Sequence, residues 1–245
     1  MSLFKRPVNL EFPHVYFTFT AKDKGSDETT EYRIQDIPEN RFEEAVDMMV
    51  NVFLPDEPIS DKVLNNPESV KTIRVIWMKA LQQRVSLGCF RNDGSDELVG
   101  MNVLQVVTID DPEDDTIDDE NVLQIFGLME YTTKLADIYN KYNVDRYLSA
   151  IGLVVDRSYR GCGLAKHLLH ARIPLMQYIG LSVTVTSFTG VGSQTAAKNA
   201  GYEELYVKSY DELAEISPKF YFTNNRSTIY KVMGLKIPSN KNTQK

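Results

Sequence analysis

Cysteine is scarce in this chain: Cys89 and Cys162 are the two among 245 residues. That excludes a disulfide framework and leads us to expect a reduced, cytoplasmic setting. The three histidines, His14, His167 and His170, fall in no set of Cys, Asp or Glu with metal-ligand spacing, so no metal is expected. No run approaches the roughly 18 apolar residues of a membrane span. The opening Met1-Ser2-Leu3-Phe4-Lys5-Arg6-Pro7 lacks the apolar core of a signal peptide, so no membrane partner is expected. Positive charge is also short: 27 Lys and Arg against 34 Asp and Glu leave a formal charge of −7, with no basic run to hold nucleic acid. A Walker phosphate loop and a Gly-x-Ser-x-Gly nucleophile elbow are both missing.

What is present is enough apolar residue, 42%, to bury a sizeable core, with no internal repeat and no linker that splits the chain. Period-2 runs mark strands at 14–20, 32–37, 85–92, 97–108, 181–187, 202–210 and 228–234, and one ending at Val155. Helical spacing marks 42–53, 67–81, 121–142, 164–178 and 193–200, with Pro67 well placed in a first turn. Val70, Ile73, Ile76, Trp77 and Leu81 are core candidates in the second of these, and Leu123, Phe126, Leu128, Leu135 and Ile138 in the third. The expected fold is α+β (α/β/α-like): one domain whose central mixed, mostly antiparallel twisted sheet is flanked by helices. We assign 1–30 as an N-terminal extension, 31–235 as the domain and 236–245 as a polar tail.

The segment richest in chemistry is Arg160-Gly161-Cys162-Gly163-Leu164-Ala165-Lys166, between the apolar strand 150–155 and the helix 164–178. Strand, glycine turn and helix start aim backbone N–H groups and a positive helix end at one point, which suits a phosphate. Arg160 adds a forked, permanent cation. It is not a Rossmann fingerprint, because Lys166 stands where the third glycine should be. The bland reading is a turn that only connects strand to helix. A nucleophilic Cys162 at the helix start is conceivable, but the glycine turn is explained without it.

Arg160-x-x-Gly163-x-Ala165 resembles the acetyl-CoA pyrophosphate loop of the GNAT superfamily of N-acetyltransferases. The order strand, turn, helix, strand, helix, Gly201-Tyr202 extends that likeness over 150–202. A second block, the helix 42–53 running into Phe53-x-x-Asp56-Glu57-Pro58, resembles the insect arylalkylamine (dopamine) N-acetyltransferase-like branch. The resemblance implies a GNAT-type domain with splayed strands, acetyl-CoA in the cleft and a small-molecule primary amine as acceptor, in a monomer. It implies that backbone groups of Leu153, Val154 and Val155 pair with the pantetheine arm and that the 160–166 loop holds the pyrophosphate. It further implies that Glu57 is the base and that Thr189 and Ser193, at the places of two serines in that branch, serve the departing thiolate. Each role has an alternative. Glu57 could be a solvated loop carboxylate, Ser193 the N-cap of its helix, and Lys166 and His167 a solvated helix face. The acidic loop 109–120 is either a solvated surface or an attractor of cationic amines. Arylalkylamine acetylation is the leading expectation. Transfer to agmatine or a polyamine, use of longer acyl-CoAs, and a non-catalytic acyl-CoA-binding protein are the alternatives.

Overall fold

The computed structural model describes residues 4–22, 24–25, 27–112, 117–223 and 226–238. Eight strands form one sheet: β1 (Val15–Lys22), β2 (Thr29–Asp36), β3 (Leu87–Arg91), β4 (Leu98–Thr108), β5 (Arg146–Val155), β6 (Val183–Phe188), β7 (Glu203–Ser209) and β8 (Ile229–Lys236). Their order is β1-β2-β3-β4-β5-β6-β8-β7. All neighbours are antiparallel except β5 and β6. This is the mixed, mostly antiparallel sheet expected from the sequence. The helices are α1 (Phe42–Met48), α2 (Asp61–Leu64), α3 (Pro67–Leu81), α4 (Glu120–Leu135), α5 (Ile138–Tyr142), α6 (Leu164–Ile179), α7 (Val191–Asn199) and α8 (Tyr210–Ile216).

The sheet has a core on each face. α1, α3 and α4 pack Val46, Ile73, Trp77 and Leu128 against one side. α6 packs Leu164, Leu168, Leu175 and Met176 against the other. β6 shows why its alternation matters: Val183 and Val185 join the first core, while Thr184 and Thr186 turn to the α6 side. At the N-terminal edge β1 pairs along β2, and Arg6 forms a buried 2.8 Å ion pair with Asp36.

Two irregularities make a site. β5 and β6 pair in register at Leu148↔Thr184, and no further β5–β6 partners follow toward their C-terminal ends, so the sheet opens there. On the other edge of β5, Val103 pairs with Gly152 and Leu104 with Ala150, which leaves Ile151 as the extra residue of a β-bulge. The Gly152 φ of +155° fits this turn of the strand, and a Cβ there would stand 2.1 Å from Met49 Cε.

Several elements differ from the sequence reading. The helix expected over 42–53 is α-helical only to Met48, widens into a π turn at Met49–Phe53 and tightens into a 3-10 turn at Leu54–Asp56. The helix expected over 121–142 breaks into α4 and α5 where Asp137 adopts φ +47°. Its buried stripe is Val122, Ile125, Leu128 and Thr132, so the candidates Leu123 and Leu135 are instead exposed, at 44% and 53%. α8, with a Ser209–Glu212 capping box, begins at Tyr210, where the sequence reading ends a strand, and continues over residues to which that reading assigns no element. Of the acidic loop, Glu113, Asp114, Asp115 and Thr116 lie outside the described residues. Asp119 caps α4 through Val122 N–H (2.9 Å) and accepts from Ser69 Oγ (2.8 Å), and Asp111 accepts from Thr108. β8 runs on through Lys236, and Ile237 is buried.

Candidate active site

The anion loop is built by the backbone. Gly161 and Gly163 have φ of +92° and +80°, the left-handed region. No atom lies within 4 Å of a Cβ placed on either, so conformation and not crowding requires glycine there. Gly163 caps α6 with no side-chain hydrogen bond, which leaves the first N–H groups of a 16-residue helix facing outward. Leu164 points into the core, Cys162 packs half-buried against it, and Lys166 is exposed. His167 stacks on Phe19 of β1 at 3.8 Å and 17°, so it is packed on the sheet edge and is not a solvated helix face.

Arg160 reaches back to the strand it follows: its Nε donates to Val155 O at 3.0 Å. Its Nη2 pairs with Asp56 at 2.7 Å. Arg157 and Arg226 approach the same carboxylate at 3.3 and 3.6 Å. Burial alone would raise Asp56, but hydrogen bonds from Arg160 and Arg157 outweigh it and hold its carboxyl below the usual range. Three cations thus converge on one anion at the mouth of a cleft of about 330 Å³, lined by Leu153, Val154, Val155, Arg160 and Ala165.

Glu57 follows the 3-10 turn, with its N–H bonded to Phe53 O at 3.0 Å. The residue is half-buried, yet its Oε1 is sealed from solvent and has no hydrogen-bond partner. Burial pushes its carboxyl up to about 7, against the opposing pull of the Thr189 hydroxyl and Ile59 N–H. It stands where the cleft meets a second, smaller cavity of about 110 Å³ on the α3–α4 side. Phe53, Glu57, Leu153, Thr189 and Ser193 line both spaces. The smaller cavity is otherwise walled by Trp77, Ile73, Ile125, Phe126 and Met129, an apolar and aromatic surface.

The structure therefore gathers Glu57, Thr189 and Ser193 with Leu153 at one junction, and places Arg160 and Ala165 along the cleft. Ser193 is not the N-cap of its helix, because α7 starts at Val191 with Gly190 in the cap position. Its Oγ donates to Gly190 O at 2.9 Å. Tyr210, Tyr230 and Arg172, which no sequence motif marks, also stand here, as do Trp77 of the predicted core and Phe53 of the motif. Tyr210 donates to Thr189 O (3.0 Å), and Tyr230 bonds Ser187 (2.6 Å), which lines the cavity. Trp77 and Phe53 meet edge-on. Arg172, buried in α6, also lines the cavity. Among the described residues, no group of three or more His, Cys, Asp and Glu side chains is gathered as a metal site.

No protein-family model and no curated protein matches the chain. Solved structures do. A protein of the yellow fever mosquito, Aedes aegypti, provisionally named arylalkylamine N-acetyltransferase 7, is 38% identical over 95% of this chain and 99% of its own, with a TM-score of 0.90. Arylalkylamine N-acetyltransferase 2 of Aedes aegypti is 22% identical, over 84% of this chain and 99% of its own, at 0.75. The Drosophila melanogaster polyamine N-acetyltransferase that forms N-acetylagmatine is 14% identical, over 84% and 100%, at 0.70. The last two show the shared fold, and the first shows the family. The chain belongs to the insect arylalkylamine N-acetyltransferase-like branch of the GNAT superfamily and is an enzyme of the acyltransferase class.

Proposed function

We propose that the protein transfers the acetyl group of acetyl-CoA to a primary arylalkylamine by direct attack. The observation that carries this reading is Glu57: a carboxyl raised to about 7 at the junction of an anion-binding cleft lined by Arg160 and an aromatic cavity. A free alkylamine is protonated below about pH 10, so attack requires a base that is ionised near neutrality yet takes a proton readily. The acetyl-CoA diphosphate would sit on the 160–166 loop and its arm along Leu153–Val155, where the open edge of β5 offers strand-like hydrogen bonds. A backbone N–H beside the bulge would polarise the thioester oxygen. The amine's aromatic ring would pack on Trp77, Phe53 and Phe126 while its nitrogen faces Glu57.

An agmatine or polyamine acceptor needs a second anion. Glu57 is the one carboxylate lining the cavity among the described residues, and Asp111 and Asp119 of the acidic loop already serve the fold. We therefore keep the arylalkylamine. The test is free CoA released by the purified protein with acetyl-CoA and a panel of tryptamine, dopamine, octopamine, agmatine and spermidine. Highest kcat/KM with the aromatic amines is expected; preference for agmatine or spermidine would replace this acceptor class, and no release with any amine would end the reading.

Asp56 gives a further expectation. It occupies the arginines that the cofactor's phosphates would use, so Asp56→Asn is expected to tighten acetyl-CoA binding by up to about fivefold, the scale of an exposed ion pair. The gain should shrink at high salt. Calorimetry at two ionic strengths checks both parts, and weaker binding in the variant would show that Asp56 positions Arg160 and does not compete for it.

A further inference from the structure

Arg172 is a charge without an anion. It is 0% exposed, in the middle of α6. Its Nε donates to Asn102 Oδ1 at 2.8 Å, and its Nη1 to Thr184 Oγ1 at 3.2 Å and Thr186 Oγ1 at 2.7 Å. All three partners are neutral. Its Nη2 has no hydrogen-bond partner. The neutral Tyr202 is an electrostatic neighbour of the guanidinium, its ring centroid 5.9 Å from the guanidinium carbon, and its hydroxyl stops short of a hydrogen bond of good geometry to Nη2. A guanidinium keeps its charge in proteins, and leaving it buried beside neutral groups is costly. Three hydrogen bonds through Nε and Nη1 already tie α6 to β4 and β6, so a purely structural link has no need of Nη2.

Its place explains the arrangement. Asn102 also donates to Gly152 O at 2.7 Å, beside the bulge of β5, whereas Thr184 and Thr186 belong to β6. The guanidinium therefore spans the gap where β5 and β6 part. Together with Glu57, Leu153, Thr189 and Ser193 it lines the smaller cavity, and Glu57 and Arg172 are the two charged side chains doing so among the described residues. It lies nine positions after Gly163, about 14 Å along the helix at about 1.5 Å per residue. That is the scale of an extended pantetheine arm running inward from the anion loop.

We propose that Arg172 receives the sulfur anion of the cofactor, with Nη2–H donating to the departing thiolate. The proposal rests on the acetyl-CoA reading given above. In the step, the amine nitrogen bonds to the thioester carbon and its proton passes to Glu57. The C–S bond then breaks with its electron pair on sulfur, and that sulfur supplies the anion Arg172 lacks. Thiolate protonation follows on release. The other ionisable groups near this space are Glu57, Tyr202, Tyr210 and Tyr230, and burial raises all three tyrosines, which stay neutral.

The experiment is a titration of CoA itself, bound to the enzyme with no amine present, followed by the ultraviolet absorbance of the thiolate. In the wild-type complex the thiol is expected to ionise at least about one pH unit below free CoA, as a neighbouring cation favours the charged form. Arg172→Met, which keeps length without charge, is expected to abolish the shift, to hold CoA within about threefold by calorimetry, and to lower kcat by about 10² to 10³, the range for losing one preorganised donor to a developing anion. Arg172→Lys should restore part of the shift. An unshifted thiol in the wild type overturns the proposal without any variant, and so does a shift that persists in folded Arg172→Met. Faster turnover of succinyl-CoA than acetyl-CoA, lost in Arg172→Met, would also overturn it by assigning Arg172 to an acyl carboxylate. Failure of the wild type to bind CoA in calorimetry would remove the cofactor reading itself, a different result from bound CoA with an unshifted thiol.

Discussion

Glutamine in place of Glu57 is expected to lower kcat by about 10²- to 10⁴-fold, the contribution of a positioned general base, with little change in acetyl-CoA affinity. The pH profile carries the sharper test. Burial sets the Glu57 carboxyl at about 7. The base form therefore grows as pH rises through that value, and wild-type kcat should rise with it. Glu57→Gln should lose this limb, while any dependence on deprotonation of the free amine, at about pH 10, should persist in kcat/KM. A retained limb near 7 in the variant would assign the base elsewhere.

The same group links activity to stability. Its folded value, about 7, lies above the 4.5 of an unperturbed glutamate. The folded state thus holds this proton more tightly, and the associated stability is present below about 4.5 and lost as pH rises through about 7. At 1.36 kcal/mol per unit the loss amounts to at most about 3 kcal/mol. Glutamine cannot ionise, so Glu57→Gln should melt above the wild type at pH 8 and near it at pH 5. A variant that is inactive yet more heat-stable at alkaline pH would be the signature of a carboxylate kept buried for its chemistry. Equal melting temperatures at pH 8 would mean that solvent reaches Glu57 and that its burial does not set its titration.

Much of this was legible in the chain because local rules and the fold agree. The glycines at 161 and 163 and the β-branched alternation of 183–187 signal their own conformations, and α3 announces itself by Pro67. Other parts required three dimensions. Leu123 and Leu135 have helical spacing to Phe126 and Leu128, but the break at Asp137 and the packing of Val122 set a stripe one residue away. The pairing of Asp56 with Arg157, Arg160 and Arg226 joins residues over 100 positions apart, for which no local pattern exists. Arg172 sits among apolar residues of α6, and no motif marks it; only the opening of β5 from β6 gives it a buried place. The one available signal was its spacing, since Leu168, Leu169, Leu175 and Met176, close to it on the helix, are all buried. Glu57 is marked as a candidate by its motif alone, yet its raised carboxyl is a property of the walls around it.

Trp77 carries the second large effect, because one side chain walls the smaller cavity, the proposed amine site, and holds the strand behind it. It is 1% exposed, meets Phe53 edge-on at 6.1 Å, and donates from Nε1 to Ile151 O at 3.1 Å. Ile151 is the extra residue of the β5 bulge, so this hydrogen bond satisfies a carbonyl that the strand irregularity leaves over. Trp77→Ala is expected to cost about 3–5 kcal/mol, the usual range for emptying an aromatic site in a core. Trp77→Phe keeps most of the apolar wall but strands the Ile151 carbonyl, a cost of about 1–3 kcal/mol. In that folded variant KM for tryptamine should rise by about fivefold, the equivalent of roughly 1 kcal/mol of aromatic contact. The affinity for acetyl-CoA should stay the same, since Trp77 lines the smaller cavity and not the cleft. Chemical denaturation, steady-state kinetics and calorimetry on the two variants measure stability, KM and cofactor affinity separately. A change in acetyl-CoA affinity larger than the change in tryptamine KM would mean that the bulge, and not the aromatic wall, is what Trp77 maintains for function, and the two cavities would have to exchange roles.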